Sequence, residues 1–192
     1  ALANTLGAQA VFAAKDYEPH AAIRDAEVKS RLAQSQTALL TVKDHVIFEC
    51  REVLTQTGKP YGVFTPYLRA WLLRLGDTPP IQHLCEPVTG VLAERPVPFA
   101  GPVPSLESMV FEPTNLRTLG IVPGAKGAAR LIEDFWERMD GYDQTRNFPS
   151  VKGPSYLGVH LRFGTVSIRQ LVGLALQRKL AGSAGAAVWL AE

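Results

Sequence analysis

The chain has 192 residues, 46% of them hydrophobic, with 20 Lys and Arg against 18 Asp and Glu. That length makes one large domain or parts of two. A net charge of +2 excludes recruitment of nucleic acid by bulk charge, so any DNA contact must come from a local basic patch.

Taken in chain order, Val11–Ala14 is a short β-compatible run. Pro19 opens a helix that runs from His20 to about Ser35 and is polar on most faces. Ala38–Val42 reads as a strand and Val46–Phe48 as a second short one, giving a βαβ unit of a parallel sheet. Within Tyr61–Leu75, Leu68, Trp71, Leu72 and Leu75 repeat at helical spacing, with Pro66 at the expected start. Gly76–Gly124 is dense in Pro and Gly and has no sustained period. Its Ile81, Leu84, Val91, Leu92 and Phe99 argue for an ordered linker rather than a solvated tether.

The helical period returns at Ala125. Ala128, Leu131, Ile132, Phe135, Trp136 and Met139 form one apolar stripe, which Asp140-Gly141 ends. An irregular stretch follows to Gly164. Ser167 and Gln170 have the spacing of a capping box, before a helix faced by Ile168, Leu171, Val172 and Ala175. Gly182-Ser183 breaks the chain and restarts it into a last apolar helix. The fold expected is an α/β remnant at the edge of a parallel, Rossmann-like sheet over 1–48, an inter-domain linker with one helix over 49–123, and the start of an all-helical domain over 124–192. Both ends read as cut from something longer.

Most enzymatic signatures are missing: no phosphate-loop lysine motif, no Gly-x-Gly-x-x-Gly, no Gly-x-Ser-x-Gly. His20, His45, His83 and His160 are isolated in sequence, and no metal site is expected. Cys50 and Cys85 fit neither a zinc nor a disulfide spacing, so reduced thiols and a cytoplasmic location are expected. No apolar run reaches a membrane span, so no membrane partner is expected.

The informative stretch is Gly141-Tyr-Asp-Gln-Thr-Arg-Asn-Phe-Pro149, then Gly153-Pro-Ser-Tyr-Leu-Gly-Val-His-Leu-Arg-Phe-Gly164. A Gly- and Pro-rich loop between firm helices can aim several backbone N–H groups at an anion. Ser155 adds a hydroxyl, Tyr142 a phenol, and Arg146 and Arg162 positive charge, so a phosphate-bearing ligand fits. Taken by themselves, the same residues read more readily as an ordinary solvated helix–helix connection.

This stretch resembles the pattern of the DNA photolyase/cryptochrome family: Tyr, Arg, Phe-Pro, then Gly-Thr-Ser-x-Leu-Ser and His-Leu-x-Phe-Gly. Other segments agree in order. Asp16-Tyr-Glu-Pro19 with Arg24-Asp25 resembles a strand-to-helix step of the family's N-terminal domain, and Lys43–Phe48 its next strand. Tyr61–Tyr67 with Ala70-Trp71 resembles the start of its inter-domain region, and Val188–Glu192 the start of its substrate-pocket helix.

The resemblance implies a U-shaped FAD inside the helical domain. Tyr142 matches the tyrosine at the flavin phosphate, and Pro154, Ser155, Tyr156, Leu157 and Gly158 match the phosphate-binding turn. The family's Thr is Pro154 here and its final Ser is Gly158, which removes an N–H and two hydroxyls. Arg146 matches a DNA-phosphate contact. Glu192 matches the acidic residue that meets the flipped pyrimidine dimer, and as the terminal residue it is expected to fray. The implied activity is that of a deoxyribodipyrimidine photolyase, in which excited reduced FAD passes an electron to a cyclobutane dimer in damaged DNA and takes it back after ring splitting. A cryptochrome photoreceptor, signalling through partners, is the alternative, and a ligand-free structural module a third reading. The flavin-facing groups and tryptophan electron-transfer chain of the family have no counterpart before Glu192, so no catalytic residue is assigned within the chain. Where folate-antenna members carry Asn-Glu, this chain has His20-Ala21, which leaves another antenna chromophore or none. A monomer is expected at full length, and the 192 residues alone are expected to be inactive.

Overall fold

The computed structural model describes residues 2–82, 90–97, 100–116 and 118–192. The chain divides into two compact units: Ala1–Asp44 with His83–Arg117, and His45–Gln82 with Thr118–Glu192.

In the first unit, helix α1 (Leu2–Thr5) precedes strand β1 (Ala10–Ala14). Helix α2 (Pro19–Ala33) then returns the chain to strand β2 (Ala38–Val42). The strands pair in parallel, Ala10 against Ala38 through Ala14 against Val42, and form the expected βαβ unit. Pro19 sits in the first turn of α2, where its missing N–H costs nothing, behind an extended Glu18. Buried Thr37 donates its hydroxyl to the Ala8 carbonyl at 3.2 Å, tying the entry of β2 to that of β1. Phe12 is 70% exposed and Val42 52%, so this two-stranded sheet has open apolar surface, as the edge of a larger α/β sheet does. The rest of this unit holds a 3-10 turn at Glu107–Met109. Val91 and Leu92, expected to order the linker by packing, are exposed. Proline- and glycine-rich backbone there forms no face long enough to bury them. His83, Leu84, Cys85 and Phe99 lie outside the described residues.

The second unit is helical. Helix α3 (Phe64–Leu75) begins two residues before Pro66, which still falls in the first turn. Helix α4 (Gly124–Trp136) leads to a 3-10 turn at Met139–Gly141 and helix α5 (Tyr142–Thr145). Helices α6 (Gly158–Arg162), α7 (Ile168–Leu180) and α8 (Ala184–Ala191) complete it. The stretch expected to be irregular to Gly164 therefore contains two short helices.

Among the described residues, two apolar clusters form the core. Phe135, Met139, Tyr142 and Ala186 make one, with Trp136 and Val188 against it. Val172, Ala175, Leu176 and Leu190 make the other, with Ile47, Trp71, Leu72 and Leu75 against it. Trp189 packs on both. Close approach of α8 to the 3-10 turn requires Gly185, because a Cβ there would lie 2.2 Å from the Met139 carbonyl oxygen.

Three local expectations need correction. Val46–Phe48 is not a strand but a bend. Ile47 joins the core, and Phe48 meets the Trp71 ring edge-on at 5.5 Å, so packing on α3 replaces strand pairing. The helix expected from Ala125 ends at Trp136, and Met139 reaches the core from the following 3-10 turn. Ser167 caps α7 by its extended backbone alone, with no side-chain hydrogen bond, whereas Ser183 does accept from the Ala186 N–H at 3.1 Å. Helix α3 packs on the helical segments through Trp71 and Leu72.

Candidate functional site

Helix α5 follows the 3-10 turn without a break, which fixes Tyr142 over the core. Its ring meets Phe135 edge-on at 5.8 Å and is 7% exposed. The phenol reaches out of that core and donates to Glu192 Oε2. Arg146, one helical turn after Tyr142, pairs with Glu192 Oε1. Glu192 sits where α8 ends, with its N–H donating to the Trp189 carbonyl at 3.3 Å. The residue expected to fray is thus held by Tyr142 of α5 and by Arg146, which caps that helix. The carboxylate is 46% exposed and Arg146 33%, so solvent reaches the pair.

The turn Pro154–Gly158 lies next along the chain. Leu157 is its anchor, 1% exposed, and Ser155 is half-buried. Tyr156 takes a positive φ of 58° and Leu157 follows at −81°, the alternation of left- and right-handed residues that turns successive amides toward one side. A non-glycine residue held left-handed is strained, and such strain gathers at ligand sites. The Ser155 Oγ currently accepts from the Leu157 N–H at 3.5 Å, a long contact that a better acceptor would displace.

Ser155 and Glu192 line one cavity of about 420 Å³, a volume suited to a small-molecule ligand. Its walls include Trp71, Leu171, Trp189 and, from the segment before α3, His45. Pro154, Tyr156, Leu157 and Gly158 do not line it. The lining is mostly apolar with a few polar groups, the composition that orients an amphipathic ligand. Trp71 and Trp136 belong to the packed clusters, in keeping with their helical spacing.

Sequence reasoning missed a polar group behind the turn. Arg138 Nη1 donates to the Lys152 carbonyl and, at 3.0 Å, to that of Gly153. Its Nη2 donates to the Pro154 carbonyl at 3.3 Å and to Asp134 Oδ2 at 2.7 Å. Lys152 Nζ donates to the other Asp134 oxygen at 2.6 Å. Lys152 first, then Arg138, holds the Asp134 carboxyl below its ordinary range. The only sequence signal was the spacing of Asp134 and Arg138, four apart on one helical face.

The profile of the family described as DNA photolyase matches residues 1–87. The chain is 30% identical over 173 residues to a deoxyribodipyrimidine photo-lyase of Synechococcus sp., covering 88% of this chain and 35% of that protein. It is 31% identical over 200 residues to the corresponding protein of Vibrio cholerae, covering all of this chain and 40% of that one. The chain therefore spans well under half the length of these relatives. In fold it resembles a bacterial class III photolyase from Agrobacterium tumefaciens, with a TM-score of 0.69 at 25% identity over 91% of this chain and 36% of that one. Among the described residues no helix is long and apolar enough to cross a membrane. In its first 87 residues by family profile, and along nearly its whole length by sequence and fold, the chain is similar to the DNA photolyases.

Proposed function

We propose that this chain is part of a light-dependent DNA repair enzyme, a deoxyribodipyrimidine photolyase that holds FAD and splits cyclobutane pyrimidine dimers in damaged DNA. The observation that carries this reading is the cluster of Tyr142, Arg146 and Glu192. It joins the position matched to the flavin phosphate with the two positions matched to DNA, beside a cavity that Ser155 and Glu192 share.

The donor set fits a flavin nucleotide. Ser155 offers a hydroxyl at the cavity, and the Tyr156–Leu157 turn gathers amides for phosphate oxygens. Pro154 contributes no N–H and Gly158 no hydroxyl, so Ser155, the one residue of the turn at the cavity, carries most of the binding. The apolar walls around Trp189 suit a ring system and exclude water from it. The chemistry FAD supplies when bound is light-driven electron donation to the dimer. Glu192 accepts hydrogen bonds from the flipped base, and Arg146 meets phosphate of the damaged strand. Both are paired with each other here, so DNA binding exchanges that ion pair for contacts to the lesion and backbone.

The test is repair by the full-length protein. Flavin uptake with loss of dimers under illumination supports the enzyme. Flavin uptake with no repair points to a photoreceptor of the cryptochrome kind. The 192 residues by themselves are proposed not to hold FAD tightly, and stoichiometric flavin absorbance in the purified chain contradicts that. A cytoplasmic location and a monomeric full-length protein belong to the same proposal.

A further inference from the structure

Three successive carbonyls, those of Lys152, Gly153 and Pro154, accept from the single guanidinium of Arg138. In a planar trans peptide the C=O and the next N–H point in opposite directions. Each carbonyl drawn to Arg138 therefore turns the following amide away from it. The Gly153 N–H, turned in this way, already donates to the Val151 carbonyl at 2.8 Å. Pro154 has no N–H. The third amide, of Ser155, has no acceptor among the described residues. It belongs to the one residue of the turn that lines the cavity.

The strand of backbone so pinned has no slack. Gly153 is buried against α5, where a Cβ would lie 2.7 Å from the Thr145 carbonyl oxygen. Arg138 is itself fixed from behind. Asp134 accepts from it and from Lys152, and its guanidinium carbon lies 5.4 Å from the Phe135 ring centre. Its Nη atoms hold the turn, while Nε is buried without a partner among the described residues.

We infer that Arg138 is a positioning residue that aims the Ser155 amide at a phosphate of the bound nucleotide, offsetting the donor lost at Pro154. The inference rests on the FAD reading above and adds a residue to it. Lysine replaces it only in part, because one ammonium does not span three carbonyls and a carboxylate.

The experiment compares FAD with riboflavin, which lacks phosphate, on the full-length protein and its Arg138→Gln and Arg138→Lys variants. Arg138→Gln is expected to weaken FAD about tenfold and riboflavin less than about twofold, with Arg138→Lys between wild type and Gln for FAD. Equal losses for both flavins in both variants make Arg138 merely structural and overturn the inference, as does an unchanged FAD affinity. If Arg138→Gln does not fold, the same comparison is decided on Arg138→Lys. Wild-type protein that binds neither flavin overturns the FAD reading itself, and the role of Arg138 falls with it.

Discussion

The Tyr142 phenol donates to the Glu192 carboxylate across fifty residues of chain. Tyr142 is buried by Phe135 on one side, and only its hydroxyl emerges. The bond therefore ties the end of α8 to the core, and Arg146 shares the same carboxylate. Tyr142→Phe keeps the ring packing and removes the donor, and should lower full-length stability by about 1 kcal/mol. Glu192→Gln should interact with it. A double-mutant cycle in urea unfolding should give a coupling energy of about 1 kcal/mol, and additivity would show that the contact contributes nothing.

Arg146→Ala removes one cation matched to DNA phosphate. Binding of dimer-containing DNA should weaken, and the slope of log affinity against log salt should become shallower by about 0.9. Loss of affinity with no change in slope would place Arg146 in the fold rather than at the phosphate.

Phe135→Ala should be among the most damaging changes. The ring is 1% exposed and touches Tyr142 at 5.8 Å and Trp189 at 4.8 Å. A loss of about 3–5 kcal/mol is expected from denaturant titration. Leu73→Ala, at a position 85% exposed, should change stability by less than about 0.5 kcal/mol.

The Asp134 carboxyl is depressed by Lys152 and Arg138, so its contribution to stability is present above the ordinary carboxylate pKa of about 3.9 and is lost as pH falls below it. The side chain is 35% exposed, so screening keeps the effect small. Asp134→Asn should therefore flatten the acid side of the stability profile below about pH 4 and leave its slope at neutral pH unchanged. A steeper acid limb in the variant contradicts the assignment.

Periodicity made the long elements legible. Ala128 and Phe135 of the stripe and the face Leu171 to Ala175 sit in the core, and Pro19 marks the start of α2. Short elements were hidden because three or four residues carry no period. Val46–Phe48 has strand composition, yet Trp71 offers an aromatic partner and β2 none. The turn Pro154–Gly158 was singled out through the family resemblance, while Arg138 was not. Its partners are backbone carbonyls, which leave no mark in the sequence. The meeting of Tyr142 with Glu192 was equally hidden, because it depends on how α5 packs on α8.

The most direct test of the whole account is illumination of dimer-containing DNA with the full-length protein and FAD. The account predicts dimers lost in the light and kept in the dark, with the light-driven loss reduced by Glu192→Ala. Stable dimers under illumination, with flavin bound, would contradict it.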